Sequence, residues 1–174
     1  MKIVGRWKDR CCKNGRWYDG EHGKFEWDFN QIQNTFATLL TCWLREEAGY
    51  NRIGYMGIGS GLIGWDTSPP AQPYSQTALT TEYARMTIAQ VDLVFIDPAT
   101  DLPTGGTPSS KIEITVNMGA GDANGTMREF GLFGGTATAA LDSGEMVNWV
   151  VHNKIIKSPA ISIQRKVRIE FQTN

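Results

Sequence analysis

The final strand-like segment constrains this chain most. Between residues 160 and 171, Ile161, Ile163, Val167, Ile169 and Phe171 alternate with Ser162, Gln164, Lys166, Arg168 and Glu170, and only Arg165 interrupts the apolar set. A period of two places one set on a buried face and the other in water. One-sided alternation of this kind belongs to antiparallel sheets with one wet face, because parallel sheets are covered on both sides.

Residues 111–118 repeat the pattern, with Ile112, Ile114, Val116 and Met118 set against Lys111, Glu113, Thr115 and Asn117. Further β segments are expected over 52–58, 85–97, 126–133 and 145–151, with proline- and glycine-containing loops at 61–77 and 98–109. The segment 85–97 would put Thr87, Ala89, Val91, Leu93 and Phe95 on one face, and Leu79–Ala84 reads as a helical turn. About six strands separated by turn signals predict a mainly β fold, an antiparallel β-sandwich or jelly-roll-like barrel. One helix is expected over 29–47, where Ile32, Phe36, Leu39, Leu40, Trp43 and Leu44 share a stripe. Asp28 with Gln31 suits a capping box at its start, and Gly49 suits a glycine just past its end.

The first 28 residues lack a clear period and read as an extended N-terminal arm before a single domain at 29–174. Tryptophans there need cover from water. The arm residues expected to dock on a neighbouring subunit are Trp7, Arg10, Cys11, Cys12, Trp17, Tyr18 and Trp27. Cysteines number three, so a closed intrachain disulfide framework is not expected. Cys11 and Cys12 are read as inert thiols, with an intersubunit disulfide as the alternative.

Composition sets the outer bounds. In 174 residues, 17 Lys and Arg stand against 18 Asp and Glu, so net charge argues against nucleic acid as the main partner. A basic stretch at Lys2, Arg6, Lys8, Arg10 and Lys13 is the closest approach to a binding patch. No apolar run has the length of a membrane span, and no leader-like segment opens the chain, which suggests synthesis in a cytoplasm.

Catalytic signals are weak. Gly57-Ile58-Gly59-Ser60-Gly61 lacks the following helix and lysine that a phosphate loop needs, and it is read as a strand end turning through positive-φ glycines. The two histidines, His22 and His152, lie far apart and in no nucleophile signature, and no ligand spacing points to a metal or a cofactor. Glu82 and Glu129 sit among apolar residues. A buried carboxylate needs a partner, and Arg85 is the expected partner of one of them, in a structural role.

Several motifs recur in a telling order: Asn30-Gln-Ile-Gln-Asn-Thr-Phe36, Met56-Gly-Ile-Gly-Ser-Gly61, Thr77-Ala-Leu-Thr-Thr-Glu-Tyr-Ala-Arg85, Ala123-Asn-Gly-Thr-Met-Arg-Glu-Phe-Gly-Leu-Phe-Gly-Gly135 and His152-Asn-Lys-Ile-Ile-Lys-Ser-Pro159. Their order over residues 30–171 resembles a group of small virion structural proteins of tailed bacteriophages, from head decoration, neck-collar and tail accessory positions. The resemblance implies a virion component without catalytic residues, assembling with copies of itself or with other virion proteins. Glu82, Arg85 and Glu129 fall on the group's recurrent polar positions. A second expectation, from a different class, is a carbohydrate- or receptor-binding module of a phage tail, with Trp65, Tyr74 and Trp149 exposed to stack on sugar.

Overall fold

The computed structural model describes residues 2–19 and 26–172; His22 lies outside them. The elements run β1 (Lys2–Lys13), β2 (Arg16–Asp19), β3 (Asp28–Ile32), α1 (Asn34–Leu44), β4 (Asn51–Gly59), β5 (Glu82–Thr87), β6 (Leu93–Phe95), β7 (Lys111–Met118), β8 (Gly125–Gly135), β9 (Glu145–Lys157) and β10 (Ile161–Gln172). The fold is mainly β: one antiparallel sheet of ten strands curls into a half-barrel, in the order β5-β4-β8-β9-β3-β1-β10-β7-β6, with β2 added to the far end of β1.

The alternation read in residues 111–118 and 160–171 is realised, because β7 and β10 pair in register from Lys111 with Glu170 to Met118 with Ile163. Their apolar residues fill the inside of the curl with Met56, Ile58, Phe130, Leu132, Val147 and Val150 from the opposite wall. Burying one such side chain contributes about 1.5–3 kcal/mol, so this interior is the main stabilising layer.

The first residues correct the expectation of an aperiodic arm. Residues 2–13 form a twelve-residue strand in the middle of the sheet, paired with β10 from Lys2 opposite Gln172 to Lys13 opposite Ile161. Period two is present in β1, but Arg6, Lys8 and Arg10 stand where a one-sided strand carries short polar residues, and Asp9 takes an inward position.

The helix is shorter than expected and starts later. Residues 28–32 are strand β3, which pairs Gly5–Trp7 of β1 through residues 28–30 and Asn148–Trp149 of β9 through residues 31–32. Joining the two walls of the curl outweighs local helical preference there. The capping box at Asp28 is therefore not formed; the left-handed residue directly after the helix is Glu46 at φ 56°, and Gly49, also of positive φ at 87°, comes three residues later. Phe36 and Leu39 of α1 close one end of the half-barrel.

The long β segment expected over 85–97 is broken. β5 and β6 are the two opposite edges of the sheet, and a 3-10 turn at Gln90–Asp92 carries the chain between them. One straight strand cannot belong to both edges. Leu79–Ala84 likewise forms no helical turn, since Glu82 already opens β5.

Candidate functional site

Two layers, one outside the main interior and one within it, collect the buried polar residues. The first lies on the outer face of β4, β5, β8 and β9. Here Leu79, Phe133, Met146 and Trp149 make a second small core, roofed by Trp65 from the loop after β4. Glu82 and Glu129 sit in this layer, buried.

The glutamates explain the Gly57-Ile58-Gly59 motif. Neither glycine has a positive φ; of this run only Gly61 does, at 54°. A Cβ at Gly57 would stand 2.5 Å from a Glu82 carboxylate oxygen, and one at Gly59 would stand 2.5 Å from Glu129 Cγ. β4 is smooth at those points because two carboxylates lie flat against it. The turn reading thus holds for Gly61 alone.

Both carboxylates are saturated by the protein. Arg85 donates to Glu82 through Nε and Nη2, each at 2.6 Å, and the Asp142 backbone N–H adds a third bond at 2.7 Å. The same guanidinium reaches the Ser143 carbonyl at 2.7 Å and stacks on Phe133, so it ties the 136–144 turn to the sheet. Among the described residues no cation pairs with Glu129. This glutamate accepts the backbone N–H groups of Thr80 and Thr81 at 3.1 and 2.9 Å and the Trp149 indole N–H at 2.8 Å. Arg85 therefore partners one of the two glutamates as expected, Glu82, and Glu129 is held by a cage of three N–H donors. Such bonds to a charged acceptor are about twice as strong as neutral ones.

The Glu129 cage also settles the three-ring sugar platform. Trp149 is 3% exposed, with its N–H consumed by Glu129, while Tyr74 lies outside on the loop. The expected trio of exposed rings is not formed.

The second layer is the sheet interior near β1 and β10, where Arg165 is wholly buried. Its guanidinium holds both Asp9 oxygens, lies 4.1 Å from the Phe130 ring centre and sits 3.4 Å from His152 Nε2. Burial, and next the Arg165 charge, push the His152 imidazole down to about 4. Its Nδ1 lies 2.7 Å from the Asn153 carbonyl, so the neutral ring donates there and turns a lone pair toward the guanidinium. Burial also pushes the nearby Tyr83 phenol up to about 12. Only the break at Arg165 in an otherwise clean alternation signalled this cluster; Asp9 carried no sequence mark, and His152 was visible only as an isolated histidine with no partner in sequence.

The proposed docking residues divide between two faces. Trp7 turns inward onto Phe130 and His152, and Cys11 packs against the same interior, so neither is a surface anchor. Arg10 and Cys12 point outward, and the three cysteines form no disulfide with one another. Trp17 and Tyr18 are 46% and 49% exposed on β2, beyond the turn at Asn14 and Gly15, whose φ values are 53° and 74°. Trp27 lies between the Lys8 ammonium at 4.3 Å and the Arg168 guanidinium at 4.1 Å.

An apolar cavity of about 340 Å³ opens between α1 and the β6–β7–β10 wall, lined by Phe36, Trp43, Leu93, Phe95, Ile112 and Phe171 among others. Glu82, Glu129 and His152 all lie elsewhere. No family model matches this chain, and no curated protein matches it.

Proposed function

We propose that this chain is a non-enzymatic structural subunit of a tailed-phage virion, joined to copies of itself or to other virion proteins through the β1–β2 hairpin and neighbouring loops. The observation that carries the reading is the hairpin's end. β2 is four residues long, pairs only with β1 among the described strands, and presents Trp17 and Tyr18 half open to solvent. A free strand edge offers backbone hydrogen bonds to an added strand, and flanking rings supply the apolar contact that gives such docking its affinity.

The buried polar groups support the same reading. Glu82, Glu129 and Asp9 are each consumed in holding two parts of the fold together. The motif order across residues 30–171 supplies the class of assembly.

The test replaces Trp17 and Tyr18 together by serine. Light scattering would follow self-association, and co-sedimentation would follow incorporation into particles lacking the native subunit. The expected result is an unchanged melting curve with assembly weakened about tenfold or more, since anchor residues of an interface each contribute roughly 2 kcal/mol. Undiminished assembly would overturn the hairpin as the tether.

A further inference from the structure

The pairing of β1 produces a surface that the chain-wide charge balance conceals. Ile3, Trp7 and Cys11 pack into the interior, so the alternation turns Lys2, Arg6, Lys8 and Arg10 to the outer face. No acid shares their side of β1, because Asp9 points inward to Arg165. The register then sets Arg6 beside Arg168 and Lys8 beside Lys166 on β10. Glu113 and Asp101 neutralise part of this group, holding Lys166 and Arg168 at 2.5–2.8 Å, and Glu170 adds a carboxylate on the same face of β10 opposite Val4, 3.6 Å from Lys111.

Aromatic rings are threaded through the cations in the same order. The Arg6 guanidinium stands 5.4 Å from the Phe29 ring centre, Lys8 stands 4.3 Å from Trp27, and Arg10 stands 5.5 Å from Trp17. Phe29 is 76% exposed, so its ring is open to a partner. Successive outward positions on a strand are about 6.8 Å apart, so three cation–ring pairs form a ladder along one direction. Burial, and next the charge of Arg168, push the pKa of the Lys8 ammonium below its ordinary value.

We propose that the outer face of β1 and β10 is a binding surface for a single-stranded polynucleotide. The cations would follow the phosphates, while Phe29 would stack on bases. A positive track interleaved with aromatic platforms is the general chemistry of such sites. The alternation of cation and ring along one strand fits a partner whose own phosphates and bases alternate, a repeat that an acidic protein surface does not carry. The inference stands apart from the assembly reading, since Lys2, Arg6 and Phe29 lie outside β2.

The test is fluorescence anisotropy with labelled oligodeoxythymidylate and oligouridylate about 20 nucleotides long, longer than one domain covers, using the whole protein. A duplex of equal length and polyglutamate serve as competitors. Binding should weaken as salt rises, with a log–log slope of about −0.7 for each phosphate contacted. Lys2→Glu with Arg6→Glu should weaken binding about tenfold or more, because each reversed cation removes a phosphate contact and adds repulsion. Phe29→Ala should weaken single-strand binding about fivefold or more and leave any duplex binding unchanged. Arg6→Gln is the milder variant should the double reversal disturb folding. Absence of binding at low salt, full binding by the charge-reversed or Arg6→Gln protein, or equal competition by polyglutamate would each overturn the proposal.

Discussion

Arg165 and Asp9 face each other inside the sheet on the paired strands β1 and β10, with Nε 2.7 Å from one carboxylate oxygen and Nη2 2.5 Å from the other. The pair fixes the register of a ladder that joins the first strand to the last. Removing one partner leaves an uncompensated charge in an apolar interior. Asp9→Leu should therefore cost about 3–5 kcal/mol, whereas Asp9→Leu combined with Arg165→Met should cost much less. Urea unfolding of the singles and the double measures this as a cycle. Equal losses in all three proteins would refute the coupling.

The Glu129 cage makes a different demand. Glu129→Ala should cost about 3 kcal/mol, since the Thr80, Thr81 and Trp149 N–H groups all lose their acceptor at once. Trp149 fluorescence should change alongside, because the indole N–H sits on this carboxylate. An unaltered melting temperature would show that solvent replaces the cage at no cost.

Gly57→Ala and Gly59→Ala test the flat stretch of β4. Each added methyl meets a glutamate side chain at 2.5 Å, so each variant should lose about 1–3 kcal/mol, the range for overpacking a filled site. Gly64→Ala, which meets nothing within 4 Å, is the control. Thermal unfolding of the three proteins gives the comparison, and equal melting temperatures would contradict the packing described.

His152 governs part of the acid response. Its imidazole is held down to about 4 in the folded protein against an ordinary value of 6.5, so the unfolded chain binds this proton first as pH falls. The contribution is fully present above pH 6.5 and is lost progressively as pH drops toward 4. His152→Gln should flatten the stability profile over that window. Identical profiles for the two proteins, measured by urea midpoints, would remove His152 as the cause.

The antiparallel architecture was legible wherever one side of a strand faces water, as in β7 and β10. It was illegible where a strand's inward positions carry polar or small residues. β1 places Gly5 and Asp9 inward, and β3 is only five residues long, so neither announces its period. The Glu82–Arg85 pair could be read because both residues lie three apart on one segment. The Asp9–Arg165 pair could not, since 156 positions separate its members and only the fold brings them together. The glycine motif was visible but its purpose was not, because the carboxylates that require it come from other strands.

The ladder from Lys2 opposite Gln172 to Lys13 opposite Ile161 has a consequence for synthesis. As the polypeptide leaves the ribosome, its earliest strand has no β10 to receive it until translation has passed residue 172. During that interval a cationic, tryptophan-bearing ribbon stands open to chaperones and to misassembly. Contacts of such long sequence separation also slow folding, so closure of the half-barrel waits on synthesis of β10.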